Sequence, residues 1–446
     1  MSVTKVQITS RKRLRPSSEE PSLLETPKKF KLEQNYKLIN PQKPEDVITP
    51  STAEAVNSFT SKELKETTTK VKPEIIESIS EIKFSARHQS ILSITHFKEP
   101  LRIQTGYPIP EIEPHEILVY NRAIGLNPID WKGKKYGFGI YHFPWINGRE
   151  SSGDIVKIGK DVKGLAVGDQ VIVSSTSYRD NRTSTFQQYT VIDSRLVWKL
   201  PQNFTYEDGA TIGVGLVTAG ILLYNSFGFD LDLDLDLDFG QKIEARSNIA
   251  NNNADKGEEK TILIWGGATV VGIYVAQLAK LYGLKVISIA SLRHKSYLEE
   301  LGVDVLIDRH LSTEEIEKQI EDASPNGISF GVDCVSKETS AKVVNFLDQR
   351  SKSLPENLVK PAFAGIVGKP KETPSLVDVR EVVIKRFHED TEFGAKFIKT
   401  TTHFLDKHLI KPVKYKQYRG GLEILEDALK DLETIGANGE KYVVSV

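Results

Sequence analysis

The pattern of apolar and polar positions divides the chain into three regions. Residues 1–82 are rich in Lys, Glu, Ser, Thr and Pro, and no apolar periodicity persists long enough to bury a face, so we predict disorder there. From about Ser85, short β-rich runs separated by turn residues predict a compact, mostly antiparallel β domain. After about Ala210, strands alternate with helices, which predicts a parallel, doubly wound sheet and an α/β fold class.

The same pattern assigns individual elements. The strands predicted in the β domain are Ile91–Phe97, Glu116–Ala123, Asp154–Ile158, Gln170–Ser174 and Phe186–Val191. The strands predicted in the parallel sheet are Thr261–Trp265, Lys285–Ala290, Val305–Asp308, Ser329–Val335, Lys360–Val367 and Glu381–Arg386. Helices are predicted at Val271–Tyr282, Thr339–Asp348 and Gly421–Ile435, and a closing strand at Lys441–Val446.

Two segments depart from this alternation. The apolar run Ile212–Tyr224 is shorter than the roughly 20 residues that a membrane span needs, so we expect a buried segment. Residues 230–238 alternate Asp with Leu, and a charged, Asn-rich stretch follows to Lys260. Because carboxylates on one face of a strand repel each other, we predict a mobile acidic surface loop.

Composition and charge narrow the function classes. The formal net charge of −1 gives no general attraction to nucleic acid. The single Cys334 excludes an intramolecular disulfide and a zinc site of several cysteines, which is consistent with the cytoplasm. The basic clusters Arg11–Arg15 and Lys28–Lys31 leave three readings open: nuclear import, contact with an anionic membrane, or a solvated tail.

A glycine-rich turn between a strand and a helix carries the main candidate chemistry. The segment Gly266-Gly267-Ala268-Thr269-Val270-Val271-Gly272 follows an apolar strand and precedes an apolar helix. Such a turn leaves backbone amides at a helix N-terminus, where they suit a pyrophosphate. Gly267 is expected to make the tight turn and Gly272 to allow close packing. Thr269 replaces the middle glycine of the usual pattern, so a sheet that has lost its nucleotide stays an alternative.

The end of the next strand indicates which dinucleotide would bind. NAD-binding domains place an acidic residue there to hold the ribose 2′-hydroxyl. Here the strand is followed by Ser291, Arg293 and Lys295, which offer hydrogen-bond donors and positive charge for a 2′-phosphate. This favours NADPH. The alternative is that Arg293 and Lys295 only begin an exposed helix.

Upstream, the runs Gly148–Val162 and Gly168–Val171 closely resemble the alcohol dehydrogenase pattern of the medium-chain dehydrogenase/reductase superfamily. The resemblance implies a GroES-like β domain (residues 83–212 and 405–446) and a Rossmann NADP-binding domain (residues 213–404). In that pattern Arg149 replaces a zinc-ligand histidine, and Asn127 stands where zinc enzymes carry a cysteine. No catalytic zinc is therefore expected.

The segment Asn127-Pro-Ile-Asp130 instead resembles the quinone oxidoreductase and enoyl reductase branch, in which hydride passes from NADPH without a metal. Three further runs are typical of fungal members: Thr218–Gly228, Trp265–Thr269 and Gly331–Ser336. With its basic extension, the chain is also similar to yeast proteins that stabilise and target the plasma-membrane proton ATPase. That resemblance implies peripheral association with membranes.

The resemblance also suggests catalytic residues. Asn127 is expected to hydrogen-bond the substrate or the nicotinamide ribose, as the matching residue does in the quinone reductase branch. Tyr136 lies near the position of a catalytic tyrosine in mitochondrial-type enoyl reductases, although an aromatic rim residue is the alternative. Arg149 is expected to pair with Glu150 or a backbone carbonyl, and Cys334 to be a core residue.

Two functions therefore remain open from the sequence. The first is an NADPH-dependent reductase of a small-molecule carbonyl, enone or quinone acceptor. The second is a non-catalytic factor on the same scaffold that binds a membrane protein, the plasma-membrane ATPase. An oligomer is compatible with either function.

Overall fold

The computed structural model describes residues 85–175, 179–231, 260–353 and 360–446. The predictions for residues 1–82 and for nearly all of the acidic segment 230–260 lie outside these residues. The described strands are β1 His88–Ile94, β2 Arg102–Pro108, β3 Glu116–Leu126, β4 Trp145–Ile146, β5 Glu150–Ile158, β6 Gln170–Ser174, β7 Tyr189–Asp193, β8 Val197–Lys199, β9 Thr261–Trp265, β10 Lys285–Ala290, β11 Val305–Asp308, β12 Phe330–Asp333, β13 Ala362–Gly365, β14 Asp378–Arg380, β15 Tyr415–Arg419 and β16 Lys441–Ser445.

The helices alternate with the strands of the second half. The described α-helices are α1 Pro128–Tyr136, α2 Tyr206–Gly209, α3 Gly213–Gly220, α4 Val270–Leu281, α5 Lys295–Glu300, α6 Thr313–Ala323, α7 Lys337–Ser353, α8 Arg386–Glu389, α9 Thr391–Asp406 and α10 Leu425–Thr434. Helix α3 continues into a π-helical segment, Ile221–Ser226.

The first part of the fold is a mixed, largely antiparallel sheet. Strands β15, β16, β3, β5, β6 and β8 lie side by side, β7 also pairs with β3, and β2, β1 and β4 form a smaller sheet. The C-terminal strand β16 pairs antiparallel with β3, so the end of the chain returns to this domain. The predicted antiparallel β domain is thereby confirmed.

The second part is a parallel sheet in the order β11-β10-β9-β12-β13-β14. Strand β9 lies between β10 and β12. From β9 the chain adds β10 and β11 on one side, and it then crosses to the other side of β9 and adds β12, β13 and β14. This is the doubly wound topology predicted from the alternation of strands and helices. Helix α4 is apolar nearly all round because it packs between this sheet and helix α3.

The predicted buried segment is the core of the molecule. Among the described residues, one helical run, Tyr206–Ser226, is long and apolar enough to cross a membrane, and 89% of its apolar window is buried inside the fold. Gly215 lets α3 approach α4 closely, since a Cβ there would lie 2.6 Å from the Val270 side chain. The run is thus a core helix.

One predicted strand is wrong. The run Glu381–Arg386 was assigned to the sheet, but β14 ends at Arg380 and a helix begins at Arg386. The Arg380 guanidinium donates to the Ser226 carbonyl at 2.6 Å, and the Ser226 hydroxyl donates to the Glu381 carbonyl at 2.7 Å. These bonds tie the chain to the end of the π-helical segment, where it leaves the sheet. The apolar residues that follow pack on the core from a loop.

Candidate active site

The crevice between the carboxyl ends of β9 and β12 is where a doubly wound sheet binds ligands, because the crossovers leave in opposite directions there. Gly266 follows β9 and Val335 follows β12. The Val335 side chain is 45% exposed and flanks Gly266, where a Cβ would lie 2.6 Å from Val335 Cγ2. The glycine turn predicted from sequence therefore lies at the switch point of the sheet.

Gly266, and not Gly267 as we predicted, makes the tight turn. Its φ of 88° is in the left-handed region that glycine tolerates. The amides of Gly266 and Gly267 both donate to the Ile289 carbonyl of the neighbouring strand, at 3.0 and 3.3 Å. Gly267 is needed for a different reason, because any Cβ there would collide with the buried side chain of Ser288. This packing holds the turn close to the sheet.

Thr269 does not block the turn. Its hydroxyl donates to the Gly266 carbonyl at 2.8 Å and accepts from the Gly272 amide at 3.1 Å, so it caps helix α4. The Thr269 hydroxyl is therefore engaged within the turn and the start of helix α4. Gly272 has the predicted packing role, since a Cβ there would lie 2.5 Å from the Gly266 carbonyl oxygen.

Three backbone amides remain available at this helix N-terminus. Within the part of the chain that the structure describes, the N–H groups of Ala268, Val270 and Val271 have no hydrogen-bond acceptor. All three residues are partly exposed. Unpaired amides and the positive end of a twelve-residue helix together attract an anionic phosphate. The turn can therefore hold a diphosphate in its present conformation.

The end of β10 carries the expected positive charge. Arg293 and Lys295 are exposed, and Ser291 is partly exposed. Arg293 donates to the His294 ring at 3.0 Å and also to the side chain of Asn438 in the C-terminal region. Lys295 lies 3.8 Å from Glu299 within helix α5, which it begins. Both residues thus lie at the start of an exposed helix, which was the alternative to a role in binding a 2′-phosphate. Their cationic groups are nevertheless at the surface.

The pKa of His294 reflects the positive charge of this region. Its pKa is lowered by partial burial and then by the nearby guanidinium groups of Arg293 and Arg309. Arg309 follows β11 and its amide donates to the Ala290 carbonyl at the end of β10. Arg293 and Arg309 therefore bring positive charge to the carboxyl ends of these two strands, where Asp308 is also present.

The structure separates the two predicted catalytic residues. Asn127 is buried at the N-terminus of helix α1, and Tyr136 is the last residue of that helix, roughly 13 Å away along its axis. The Tyr136 side chain is 68% exposed and its ring is tilted against Trp131, at 6.3 Å between ring centroids. It thus belongs to an exposed aromatic rim with Phe138, Tyr141 and Phe143.

Asn127 belongs to a buried ionic cluster that sequence analysis missed. Its Nδ2 donates to Glu150 Oε1 at 2.6 Å, and its Oδ1 accepts from Lys441 Nζ at 2.7 Å. Lys441 and Glu150 form an ion pair, and both side chains are almost fully buried. The other carboxylate oxygen, Glu150 Oε2, accepts from the Val214 amide at 3.0 Å. Glu150 thus pairs with Lys441. The expectation that Arg149 pairs with Glu150 or a backbone carbonyl stays a prediction.

Two further charged residues surround this cluster. Asp130 is fully buried, its Oδ2 accepts from the Asn127 amide at 2.8 Å, and burial raises the pKa of its carboxyl to about 6. The nearby charges of Arg149 and Lys441 oppose that increase in pKa. Arg149 is also buried. Two acidic and two basic side chains therefore share one interior region of the β domain.

Cys334 follows β12 and packs partly against the core. Burial of its thiol raises the pKa to about 12, so the thiolate is negligible at neutral pH. This environment agrees with the predicted core role.

Residues 113–202 match the alcohol dehydrogenase GroES-like domain, and residues 270–353 match the zinc-binding dehydrogenase family. An uncharacterized protein of Saccharomyces cerevisiae is 28% identical over 377 residues, which are 76% of this chain and 94% of the relative. A trans-enoyl reductase of Alternaria alternata is 28% identical over 356 residues, which are 76% of this chain and 94% of that protein.

A solved mycobacterial structure complexed with NADPH shares the fold, with a TM-score of 0.59. It is 20% identical, and the match covers 80% of this chain and 100% of that chain. A GroES-like β domain joined to a doubly wound domain with a glycine turn at its switch point defines the two-domain dehydrogenase class. The chain belongs to the medium-chain dehydrogenase/reductase superfamily.

The residues of this chain do not fit the catalytic zinc ion of that superfamily. Arg149 and Asn127 stand at two positions where the zinc enzymes have ligands, and the ammonium group of Lys441 already neutralises Glu150. Among the described residues, no group of three or more His, Cys, Asp and Glu side chains is arranged to hold a metal ion.

Proposed function

We propose that the chain is a zinc-independent, NADPH-dependent reductase that transfers hydride to an enone, quinone or aldehyde. One observation carries the proposal. The turn Gly266–Gly272 presents three unpaired amides at the switch point of the sheet, and its one hydroxyl, on Thr269, is turned away from that niche. The first amides of any helix lack intrahelical partners, but these lie at the switch point of the sheet, where an anionic diphosphate can reach them.

The cofactor contacts follow from this geometry. The amides of Ala268, Val270 and Val271 would bind the diphosphate, and Gly266 and Gly267 would let it approach the backbone closely. Bound NADPH supplies the hydride. Val335, exposed beside Gly266, offers an apolar surface on the β12 side of the crevice.

The basic surface after β10 supports NADPH over NADH. Ser291, Arg293 and Lys295 can donate to a 2′-phosphate, and Arg309 adds charge from the neighbouring strand. No acidic side chain follows β10 directly to bind a 2′-hydroxyl. Arg293 would exchange its bond with Asn438 for a charge-assisted bond to the phosphate, which is stronger.

The acceptor class follows from the relatives and from the polar groups of the β domain. Several relatives are named trans-enoyl reductases, and one similar fold is named an NADPH:quinone reductase. Reduction of such acceptors develops negative charge on an oxygen, which an N–H donor stabilises. Asn127 is the donor we assign. Tyr136 would deliver a proton only if its exposed ring turned toward the crevice.

The second function predicted from sequence, stabilisation of the plasma-membrane ATPase, depended on residues 1–80 and on the acidic segment. These lie outside the described residues. No feature of the described site favours that function over reduction, so it stays a prediction.

The proposal is tested by turnover. Purified protein is incubated with NADPH and with menadione, crotonyl thioester or an aldehyde, and loss of reduced nicotinamide absorbance is followed with and without a metal chelator. We expect oxidation of NADPH with at least one acceptor and no effect of the chelator. Failure with every acceptor, or loss of activity in chelator, would contradict the proposal.

A further inference from the structure

The side-chain amide of Asn127 is held between two buried, opposite charges. The carboxylate of Glu150 accepts from its nitrogen at 2.6 Å, and the ammonium of Lys441 donates to its oxygen at 2.7 Å. The two charged groups also bind each other. All three residues come from different parts of the chain, the start of helix α1, the start of β5 and the start of β16.

This arrangement allows only one orientation of the amide. Turning the amide over would place its oxygen against the carboxylate and its nitrogen against the ammonium, and both contacts would be repulsive. In a buried, low-dielectric region such a reversal is strongly unfavourable. The backbone of Asn127 is fixed as well, because its N–H donates to Asp130 at 2.8 Å. Side chain and backbone are therefore both preorganised.

One hydrogen of the amide nitrogen remains. An Asn side chain carries two N–H donors, and within the described residues only one of them is used, by Glu150. Asn127 is 7% exposed, so a small part of the residue reaches the surface.

The ionic cluster is also joined to the glycine turn Gly266–Gly272, the proposed cofactor turn. Glu150 accepts from the amide of Val214, the second residue of helix α3. The next residue, Gly215, packs directly against Val270 in the first turn of helix α4. Asn127 is thus connected through three contacts, those of Asn127 with Glu150, Glu150 with Val214 and Gly215 with Val270, to the helix that begins at the proposed diphosphate site.

We propose that Lys441 and Glu150 are positioning residues that fix the Asn127 amide, so that its remaining N–H donates to a ligand oxygen at the nicotinamide end of the site. The inference rests on the proposed NADPH-dependent reduction. Asn127 is the group that touches the ligand, and Lys441 and Glu150 act through it.

A double-mutant cycle tests this assignment. The variants are Asn127→Ala, Lys441→Met and the two combined, and the rate of single-turnover hydride transfer from NADPH to menadione is measured. We expect each single variant to lose roughly 100-fold, the usual effect of removing one oriented donor. The combined variant should lose no more than Asn127→Ala alone, because Lys441 acts through Asn127. Lys441→Arg should recover much of the rate.

A matched control separates positioning from stability. Arg182 forms a bidentate ion pair with the buried Glu116 in the same β domain, at 2.9 and 3.1 Å, away from Asn127. Arg182→Met should lower the melting temperature and leave hydride transfer unchanged. If unpaired Glu150 prevents Lys441→Met from folding, the neutral pair Lys441→Met with Glu150→Gln replaces it in the cycle.

Three outcomes are distinguishable. Additive losses in the cycle, or a slow Lys441→Met that only tracks its melting temperature, would overturn the positioning role while leaving the reductase intact. If the wild-type protein binds NADPH but reduces no menadione, the same four proteins are compared by their affinities for NADPH, which the fluorescence of the bound dinucleotide measures. Additive losses of affinity would likewise overturn the positioning role. If it binds no NADPH, the reductase proposal and this inference both fail.

Discussion

The two halves of the candidate site are built in different ways. The cofactor turn consists of neighbouring residues, Gly266–Gly272, and its working groups are backbone amides. The ionic cluster consists of side chains that are far apart in the chain, Asn127, Glu150 and Lys441, and its working groups are charges. The first half depends on the course of the backbone over seven residues, whereas the second depends on strand pairing that brings distant side chains together.

This contrast indicates how such a site can change chemistry. Backbone amides bind a phosphate whatever the acceptor is, so the turn can stay the same while the reaction differs. An oriented N–H donor has to be placed by side chains, and an interior ion pair places it only if both partners are present. Variants in the two regions should therefore fail in different ways.

Breaking the ion pair should have the largest effect. Glu150→Gln leaves the buried ammonium of Lys441 without its anionic partner, and we expect the free energy of unfolding to fall by about 3 to 5 kcal/mol. Chemical denaturation measures this loss. Adding Lys441→Met to Glu150→Gln should restore much of it. If Glu150→Gln is as stable as the wild type, the pair is not buried in solution.

The pH dependence of stability should report the burial of Asp130 beside the ionic cluster. Burial raises the pKa of Asp130 from 3.8 to about 6, so between these values the folded protein binds more protons than the unfolded chain. Its contribution to stability is therefore full below about pH 4 and is lost as the pH rises to about 6.

Asp130→Asn removes that titration and serves as the comparison. Relative to wild type, the variant should gain on the order of 3 kcal/mol between pH 4 and pH 7. Unfolding free energies of both proteins at several pH values measure the difference, and the other carboxylates cancel. A constant difference across this range would show that Asp130 ionises normally.

A change in the turn should affect binding more than stability. In Gly272→Ala the new Cβ would lie 2.5 Å from the Gly266 carbonyl oxygen, so the turn must shift. The shift would displace the amides of Ala268, Val270 and Val271 from the positions proposed to bind the diphosphate. We expect NADPH binding to weaken by about 1.5 to 3 kcal/mol, the value of one hydrogen bond to a charged group. Gly331→Ala is the control, because it crowds only Leu347 and other core side chains. Equal losses of NADPH affinity in both variants would contradict this role of the turn.

Removal of charge after β10 should have the smallest effect. Arg293→Gln and Lys295→Gln should each reduce the preference for NADPH over NADH by about tenfold, or about 1.4 kcal/mol. Isothermal titration with the two dinucleotides measures the ratio of their dissociation constants. Lys318→Gln, on the exposed face of helix α6, should leave the ratio unchanged. An unaltered ratio in all three variants would place the 2′-phosphate elsewhere.

Local sequence signals predicted most of the fold. Thr261–Trp265 and the helix after the glycine turn were found where expected, because apolar periodicity and glycines act over a few residues. Strand β14 was misplaced because the apolar run after Glu381 has the composition of a strand. Its position is decided by hydrogen bonds to Ser226, which is distant in sequence.

The ionic cluster shows the same limit within the site. Asn127 was a candidate because of its own motif, but Lys441 lies in an otherwise apolar closing strand and gave only a weak signal. A lysine at the buried start of such a strand needs an anionic partner, and that requirement was the one available clue. Its partner, Glu150, becomes evident only when β16 pairs with β3 beside β5.

The most direct test of the central claim is binding of NADPH at the turn, measured as the shift in melting temperature with NADPH and with NADH. The account predicts stabilisation by NADPH, about 2.7 kcal/mol at a ligand concentration 100-fold above its dissociation constant. NADH should give much less, and Gly272→Ala should reduce the NADPH shift. No shift with either dinucleotide would contradict the account.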